Sequence, residues 1–188
     1  MLKSLSFLKQ YIRNPRTVGA VLPSSENLAH EMIEDIDFKY TDFIVEYGPG
    51  TGIFTEELLK HRNKHTTILL VENNRNFCCS LKDKFKDEEN FHIICGSAED
   101  VDKYMKKYDI PYADYVVSGL PFGSLPINIS RTILNKTKKV LKPDGKFITF
   151  QYTLLRKRLI GDYFNHINVA LEPINIPPAF VFSCSNKA

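Results

Sequence analysis

Glu46-Tyr47-Gly48-Pro49-Gly50-Thr51-Gly52 is the stretch on which the reading of this chain turns. It follows a short apolar run, Phe43 to Tyr47, and precedes a helical one, Phe54 to Lys60, so it forms the loop of a strand-turn-helix unit. Glycines at alternate positions let the turn close and let a ligand approach the backbone, while the next helix directs its first N–H groups to the same place. Glu72 ends the next apolar run twenty residues beyond Gly52, where dinucleotide-type folds keep an acid for the ribose hydroxyls. These features imply a nucleotide-type cofactor, held by Glu46, Tyr47, Gly48, Gly50, Thr51 and Gly52 on one side and by Glu72 and Asn73 on the other. A nicotinamide-binding turn would carry its third glycine one position later, where Ile53 stands.

Outward from this loop, short apolar runs alternate with helical stretches, the pattern of an α/β fold around a parallel sheet. Strands are predicted at Phe43 to Tyr47, Thr67 to Glu72, Phe91 to Cys95, Tyr115 to Ser118 and Lys146 to Tyr152. Helices are predicted at Phe54 to Lys60, Arg75 to Phe85, Ala98 to Lys107 and Ile127 to Leu141, the last stopped by a turn at Lys142-Pro143-Asp144-Gly145. Two later runs, Asn168 to Glu172 and Ala179 to Cys184, pair as an antiparallel edge, giving seven strands. No repeat or linker divides the chain. It reads as one domain, 1–188, with an N-terminal helical extension, 1–40, and a cofactor-binding core, 41–188.

A length of 188 residues with 43% apolar and 25% charged side chains excludes disordered, collagenous and disulfide-scaffold classes. The longest unbroken apolar runs, such as Ile68 to Val71, fall far short of the roughly 20 residues that cross a bilayer. A formal charge of +3 names no partner, but its distribution is uneven: Lys3, Lys9, Arg13 and Arg16 all precede the first acid, Glu26. They accompany Leu2, Leu5, Leu8 and Ile12 at helical spacing, an amphipathic basic helix; Val18 to Pro23 then leads to a second helix from about Ser25 to Ile36. Such a first helix suits the headgroup zone of an anionic leaflet, the surface of the core, or RNA phosphates. Lys9, Arg13 and Arg16 are its candidate contacts to membrane or substrate. Arg156-Lys157-Arg158, a second basic cluster, reads as a solvated loop.

Four cysteines, Cys78, Cys79, Cys95 and Cys184, show no C-x-x-C spacing, which predicts free thiols in a reducing cytoplasm, with one of Cys78 and Cys79 buried and the other exposed. The five histidines have no metal-ligand spacing, and no metal is expected. No apolar leader with a cleavage site follows Met1, so the expected location is cytoplasmic, with peripheral attachment to the inner face of the membrane.

The E-x-G-x-G-x-G run resembles the first motif of class I S-adenosylmethionine-dependent methyltransferases, which have a Rossmann-like fold. That resemblance continues through Glu72, through Gly96-Ser97-Ala98 after the third strand, and through Ser118-Gly119-Leu120-Pro121 after the fourth. It implies S-adenosylmethionine as cofactor, with its ribose at Glu72, its adenine at Gly96, Ser97 and Ala98, and further contacts at Ser118 and Gly119. Ser97 stands where that family commonly has an acid, a role Glu99 is placed to fill. Ribosomal RNA adenine dimethyltransferases are similar in the opening motif and carry Asn-Leu-Pro-Tyr/Phe after the fourth strand. Here the run is Gly119-Leu120-Pro121-Phe122, which keeps an aromatic for stacking on a base but lacks the amide that orients its amine.

A likeness over nearly the whole chain is to bacterial soluble phospholipid N-methyltransferases. It is carried by Phe7 to Pro15, Val18 to Ser25, Val117 to Pro121 with Leu125-Pro126, Phe150-Gln151-Tyr152 and Pro177-Pro178-Ala179. It implies methyl transfer to the headgroup amine of a phospholipid at the membrane surface. For that reaction Ser118 and Tyr152 are the candidate catalytic residues, orienting the amine, and Phe122 lies at the acceptor side. An RNA adenine N6-methyltransferase is the second reading, weakened by Gly119 and by the lack of an RNA-recognition appendage after the core. A non-catalytic, membrane-recruited cofactor-binding protein is the third.

Overall fold

The computed structural model describes residues 24–187. The expected N-terminal basic helix, with Lys9, Arg13 and Arg16, lies outside the described residues. The chain runs through α1 (Ser24–Ile33), β1 (Phe43–Tyr47), α2 (Ile53–His61), β2 (Thr67–Glu72), α3 (Arg75–Lys84) and β3 (Phe91–Cys95). It continues through α4 (Val101–Lys107), β4 (Ala113–Ser118), α5 (Ile127–Val140), β5 (Leu141–Gln151), α6 (Lys157–Gly161), β6 (His166–Glu172) and β7 (Ala179–Ser185).

The strands form one sheet in the order β3-β2-β1-β4-β5-β7-β6. β1 to β5 are mutually parallel, and β7 runs antiparallel to both β5 and β6. The α/β reading, with a mostly parallel seven-stranded sheet and an antiparallel C-terminal edge, therefore holds. Ile68 to Val71 form an unbroken apolar run because β2 is covered on both faces, as central parallel strands are. One face packs Val45, Tyr47, Leu69 and Val116 against α4 and α5; the other packs Ile44, Ile68 and Leu70 against Leu28 and Met32 of α1 and Leu58 of α2. Strand order reverses between β1 and β4, so a crevice opens at their carboxyl ends, where α/β sheets bind ligands.

The structure departs from the sequence reading in four places. Arg156-Lys157-Arg158, read as a loop, closes a 3₁₀ turn, Leu154–Arg156, and opens α6, because Leu159 and Ile160 of that helix are buried against the sheet. The expected helix at Ala98 is divided into a 3₁₀ turn, Ala98–Asp100, capped by Ser97, and then α4. The turn expected at Lys142 to Gly145 is absorbed into β5: Ala113 pairs with Leu141 and Tyr115 with Lys146, so the extra residues bulge. Gly145 is required there, since a Cβ would stand 2.9 Å from the Asp114 carbonyl oxygen. Cys78 is not a free thiol: it is disulfide-bonded to Cys95, tying α3 to the end of β3. Parallel packing brings two residues 17 apart to a Cα separation of 5.8 Å, a proximity no local spacing reveals. Cys79 is exposed and Cys184 buried, both free.

Asp114 fastens the start of β1 to this bulge. It is 1% exposed; its Oδ2 accepts the N–H groups of Asp42 (2.9 Å) and Phe43 (2.8 Å), and Lys142 Nζ lies 2.6 Å from Oδ1. Asp114→Ala leaves two backbone donors and one ammonium without their partner, and should lower unfolding free energy by about 3 kcal/mol. Urea denaturation measures this; a loss below about 1 kcal/mol would show that water replaces the carboxylate.

Candidate active site

The loop after β1 is shaped by three left-handed glycines, Gly48 (φ 62°), Gly50 (φ 58°) and Gly52 (φ 87°), a region that side chains disfavour by about 1–2 kcal/mol each. Gly48 N–H donates to Val71 O (2.9 Å), which fastens the loop to β2. Gly52 opens α2 without a side-chain cap, leaving the first turn of the helix facing the loop. A Cβ at Gly50 would meet nothing within 4 Å, so this glycine borders open space.

Two carboxylates lie under the loop in different environments. Glu72, 7% exposed, accepts Gly50 N–H on Oε2 (3.0 Å) and Asn74 N–H on Oε1 (2.7 Å), clamping the glycine turn to the start of α3. Burial raises its pKa, and the backbone donors of Asn74, Gly50 and Asn73 pull it back. Glu46 is wholly buried: Oε2 accepts the Thr55 hydroxyl (2.7 Å), and Oε1 has no partner. Burial pushes its pKa up to about 8, opposed by the Thr55 hydrogen bond and assisted by the charge of Glu72.

After β3, Gly96 N–H donates to Glu72 O (2.9 Å), and Ser97 Oγ accepts Glu99 N–H (3.2 Å) while lying 3.2 Å from Glu99 Oε2. Ser97 and Glu99 thus form one unit, with a carboxylate beside the hydroxyl of position 97. Ala98 is buried beneath them.

After β4, the chain crosses the glycine loop at close range. Gly119 N–H donates to Tyr47 O (2.8 Å), and a Cβ at Gly119 would stand 2.7 Å from Gly48 O, closer than real Cβ atoms come. Ser118 is fully buried; its hydroxyl accepts Leu120 N–H (3.2 Å) and its carbonyl accepts the Thr149 hydroxyl (3.1 Å). Gln151, 5% exposed, braces the next turn from both ends: Nε2 donates to Leu120 O (3.0 Å), and Oε1 accepts Gly123 N–H (3.2 Å). The sequence alone assigns Gln151 no role; its signal is a polar side chain at the end of the strand run Phe147 to Phe150.

The fold therefore gathers Glu46, Gly48, Gly50, Gly52, Glu72, Gly96, Ser97, Ser118 and Gly119 at the carboxyl ends of neighbouring strands. Thr51 and Asn73 are exposed beside them. Tyr47 contributes only backbone, because its ring is buried and its hydroxyl meets Thr137 Oγ1 at 3.3 Å. Phe122 corrects the sequence reading: it is fully buried, edge-on to Phe147 at 6.0 Å, and offers no face to an acceptor. Tyr152 is half-buried one residue beyond β5, edge-on to Phe150 at 5.5 Å and packed on the α1–α2 side of the sheet.

These residues fit S-adenosylmethionine: Gly50 leaves open space at the backbone, Glu72 keeps spare acceptor positions for ribose hydroxyls, and Glu46 has a buried oxygen without a partner. Among the described residues no His/Cys/Asp/Glu group suited to a metal is present, and no helix is long and apolar enough to cross a membrane.

Residues 12–168 match the family model of ribosomal RNA adenine dimethylase. The chain is 28% identical to ornithine lipid N-methyltransferase of Singulisphaera acidiphila over 95% of its own length and 93% of that protein. It is 32% identical to ribosomal RNA small subunit methyltransferase A of Borreliella afzelii over 71% of its length, but spans only 45% of that protein. Among solved structures, N-methyltransferase NodS from Bradyrhizobium japonicum with S-adenosyl-L-homocysteine matches at TM-score 0.71, 10% identity and 93% of each chain. TrmN from Thermus thermophilus matches at TM-score 0.64 and 12% identity, over 87% of this chain and 51% of its own. At these identities the structures share the fold, that of class I methyltransferases.

Because the folded-state pKa of Glu46 lies above its ordinary 4.5, the stability linked to it is fully present below about pH 4.5 and is lost as pH rises through about 8. Glu46→Gln keeps an acceptor for Thr55 and removes the titration. Thermal melts of the ligand-free protein between about pH 5 and 9 should fall more steeply for wild type than for the variant; parallel curves would show that Glu46 does not titrate there.

Proposed function

This chain belongs to the ribosomal RNA adenine dimethylase family, and we propose that within it the protein is an S-adenosylmethionine-dependent N-methyltransferase whose acceptor is the headgroup amine of a phospholipid or other amino lipid. One observation carries the choice of acceptor. The position at which adenine dimethyltransferases hold an amide is Gly119, and the Gly48 carbonyl blocks any side chain there. Burial of Phe122 removes the stacking surface as well. The near full-length likeness to a protein named as an ornithine lipid N-methyltransferase supports the same reading.

S-adenosylmethionine, when bound, supplies an electrophilic methyl group on a positively charged sulfur. The Gly48 to Gly52 loop and Glu46 would hold its charged end, Glu72 and Asn73 its ribose, and Ser97, Ala98 and Glu99 its adenine. The acceptor must present a neutral amine. For an amine with a lysine-like pKa of about 10.4, neutrality at pH 7 costs roughly 4.6 kcal/mol. Withdrawal from water at the crevice lowers that cost. Carbonyl oxygens at Ser118 and Leu120, held by Thr149 and Gln151, accept an amine N–H and aim the lone pair. Ser118 and Tyr152 are the proposed orienting side chains. Lys9, Arg13 and Arg16 are the proposed contacts to lipid phosphates, which would make the protein peripheral to an anionic leaflet.

Incubation with methyl-labelled cofactor and either amino-lipid vesicles or ribosomal RNA should place label in lipid; label in RNA alone would overturn the reading. Gln151→Leu should lower kcat about tenfold by releasing the Leu120 turn, with cofactor affinity within about threefold of wild type. Unchanged kcat would remove Gln151 from the positioning of the acceptor.

A further inference from the structure

The basic cluster at Arg156 to Arg158 sits in an unusual setting. Gln151 at the end of β5 pairs with Phe180 at the start of β7, so the segment after β5 and the loop between β6 and β7 leave the sheet together. They leave it at the end that carries the cofactor loops, because β5 is parallel to β1 and β4. Both present large aliphatic side chains to solvent: Leu155 is 79% exposed, Ile176 69% and Ile174 64%. A well-packed chain of this size has no internal reason to hold three such residues at one end.

The β6–β7 loop is braced in this pose. Glu172 Oε1 accepts Ile174 N–H (2.8 Å), and the buried Asn175 side chain donates to Pro177 O (2.8 Å), so the polar groups face inward and the isoleucines outward. The charge exposed at the tips is basic, for the acid beside the isoleucines, Glu172, is buried and bonded within its own loop. No acid occurs from Tyr115 to Pro143 or from Gly145 to Gly161. Arg156, Lys157 and Arg158 make no ion pair among the described residues. Aliphatic tips flanked by unpaired cations match the acyl boundary and anionic headgroups of a leaflet; an RNA surface would call for aromatic stacking platforms.

We propose that this end of the sheet is a membrane-docking surface, in which Leu155, Ile174 and Ile176 enter the headgroup–acyl boundary of an anionic phospholipid leaflet while Arg156, Lys157 and Arg158 meet its charge. The proposal rests on the lipid-amine reading, for it turns the crevice toward the bilayer that holds the acceptor. It adds a contact separate from Lys9, Arg13 and Arg16.

The test uses the full chain with Cys79→Ser, which removes the exposed thiol, and Leu155→Cys carrying an environment-sensitive fluorophore. Vesicles of phosphatidylcholine with phosphatidylglycerol contain no acceptor amine, so docking is read without catalysis. Emission should shift to the blue on these vesicles and much less on phosphatidylcholine alone, while the same probe at Lys64→Cys, at the opposite end of the sheet, should not move. By sedimentation, joint Arg156→Gln, Lys157→Gln and Arg158→Gln should weaken partitioning about a hundredfold, since each charge is worth about fivefold. Joint Leu155→Ser, Ile174→Ser and Ile176→Ser should weaken it at least about tenfold. No vesicle-dependent shift, or unchanged partitioning of both variants, overturns the surface. So does a blue-shifted probe before vesicles are added, which would mean that residues 1–23 or a second copy cover it, or a shift produced by ribosomal RNA instead. Docking with no label transferred to any lipid would overturn the acceptor reading alone; label transferred to micellar amino lipid without docking would overturn the surface alone.

Discussion

The close approach of two backbones, β1 at Gly48 and β4 at Gly119, is the constraint on which the site depends. With 2.8 Å between Gly119 N and Tyr47 O, and the Gly48 carbonyl against the Gly119 Cα, the two strand ends are locked at the switch point of the sheet. That contact sets the mouth of the crevice and also its chemistry. A side chain at position 119 would push the loops apart, so this turn is left to backbone groups.

Behind this contact the two carboxylates divide their tasks by environment. Glu72 is rich in backbone donors and serves as a clamp between the glycine turn and α3. Glu46 has one hydroxyl partner and an empty oxygen in a dry setting, so burial holds its pKa well above the ordinary carboxylate value. Gln151 in turn holds the Leu120 to Gly123 turn by a bond at each end of its amide. The rim beyond it carries the exposed aliphatic side chains Leu155, Ile174 and Ile176 at its tips.

Much of this was readable from residue order, for reasons of range. The glycine run, the spacing to Glu72 and the alternation of apolar runs are local patterns, and local patterns report turn geometry and secondary-structure period directly. Phe122 shows where such reading stops: an aromatic after Leu-Pro resembles a stacking surface, yet its burial against Phe147 depends on packing across the sheet. Cys78 and Cys95 show the same limit, since only the α3–β3 packing makes them neighbours. Lys142 to Gly145 read as a turn because Pro, Asp and Gly are turn residues, whereas pairing with β4 kept them in the strand as a bulge.

By itself, then, the order of amino acids determined the α/β class, the cofactor loop and the acid that accompanies it, because each is written within a span of about thirty residues or fewer. The folded chain decided which glycine is closed to a side chain, which glutamate lacks a partner, and which aliphatic residues stay at the surface. Gly48 and Gly119 lie 71 residues apart, and so do not constrain each other until the sheet sets β1 beside β4; steric exclusion and desolvation exist only after that pairing has formed.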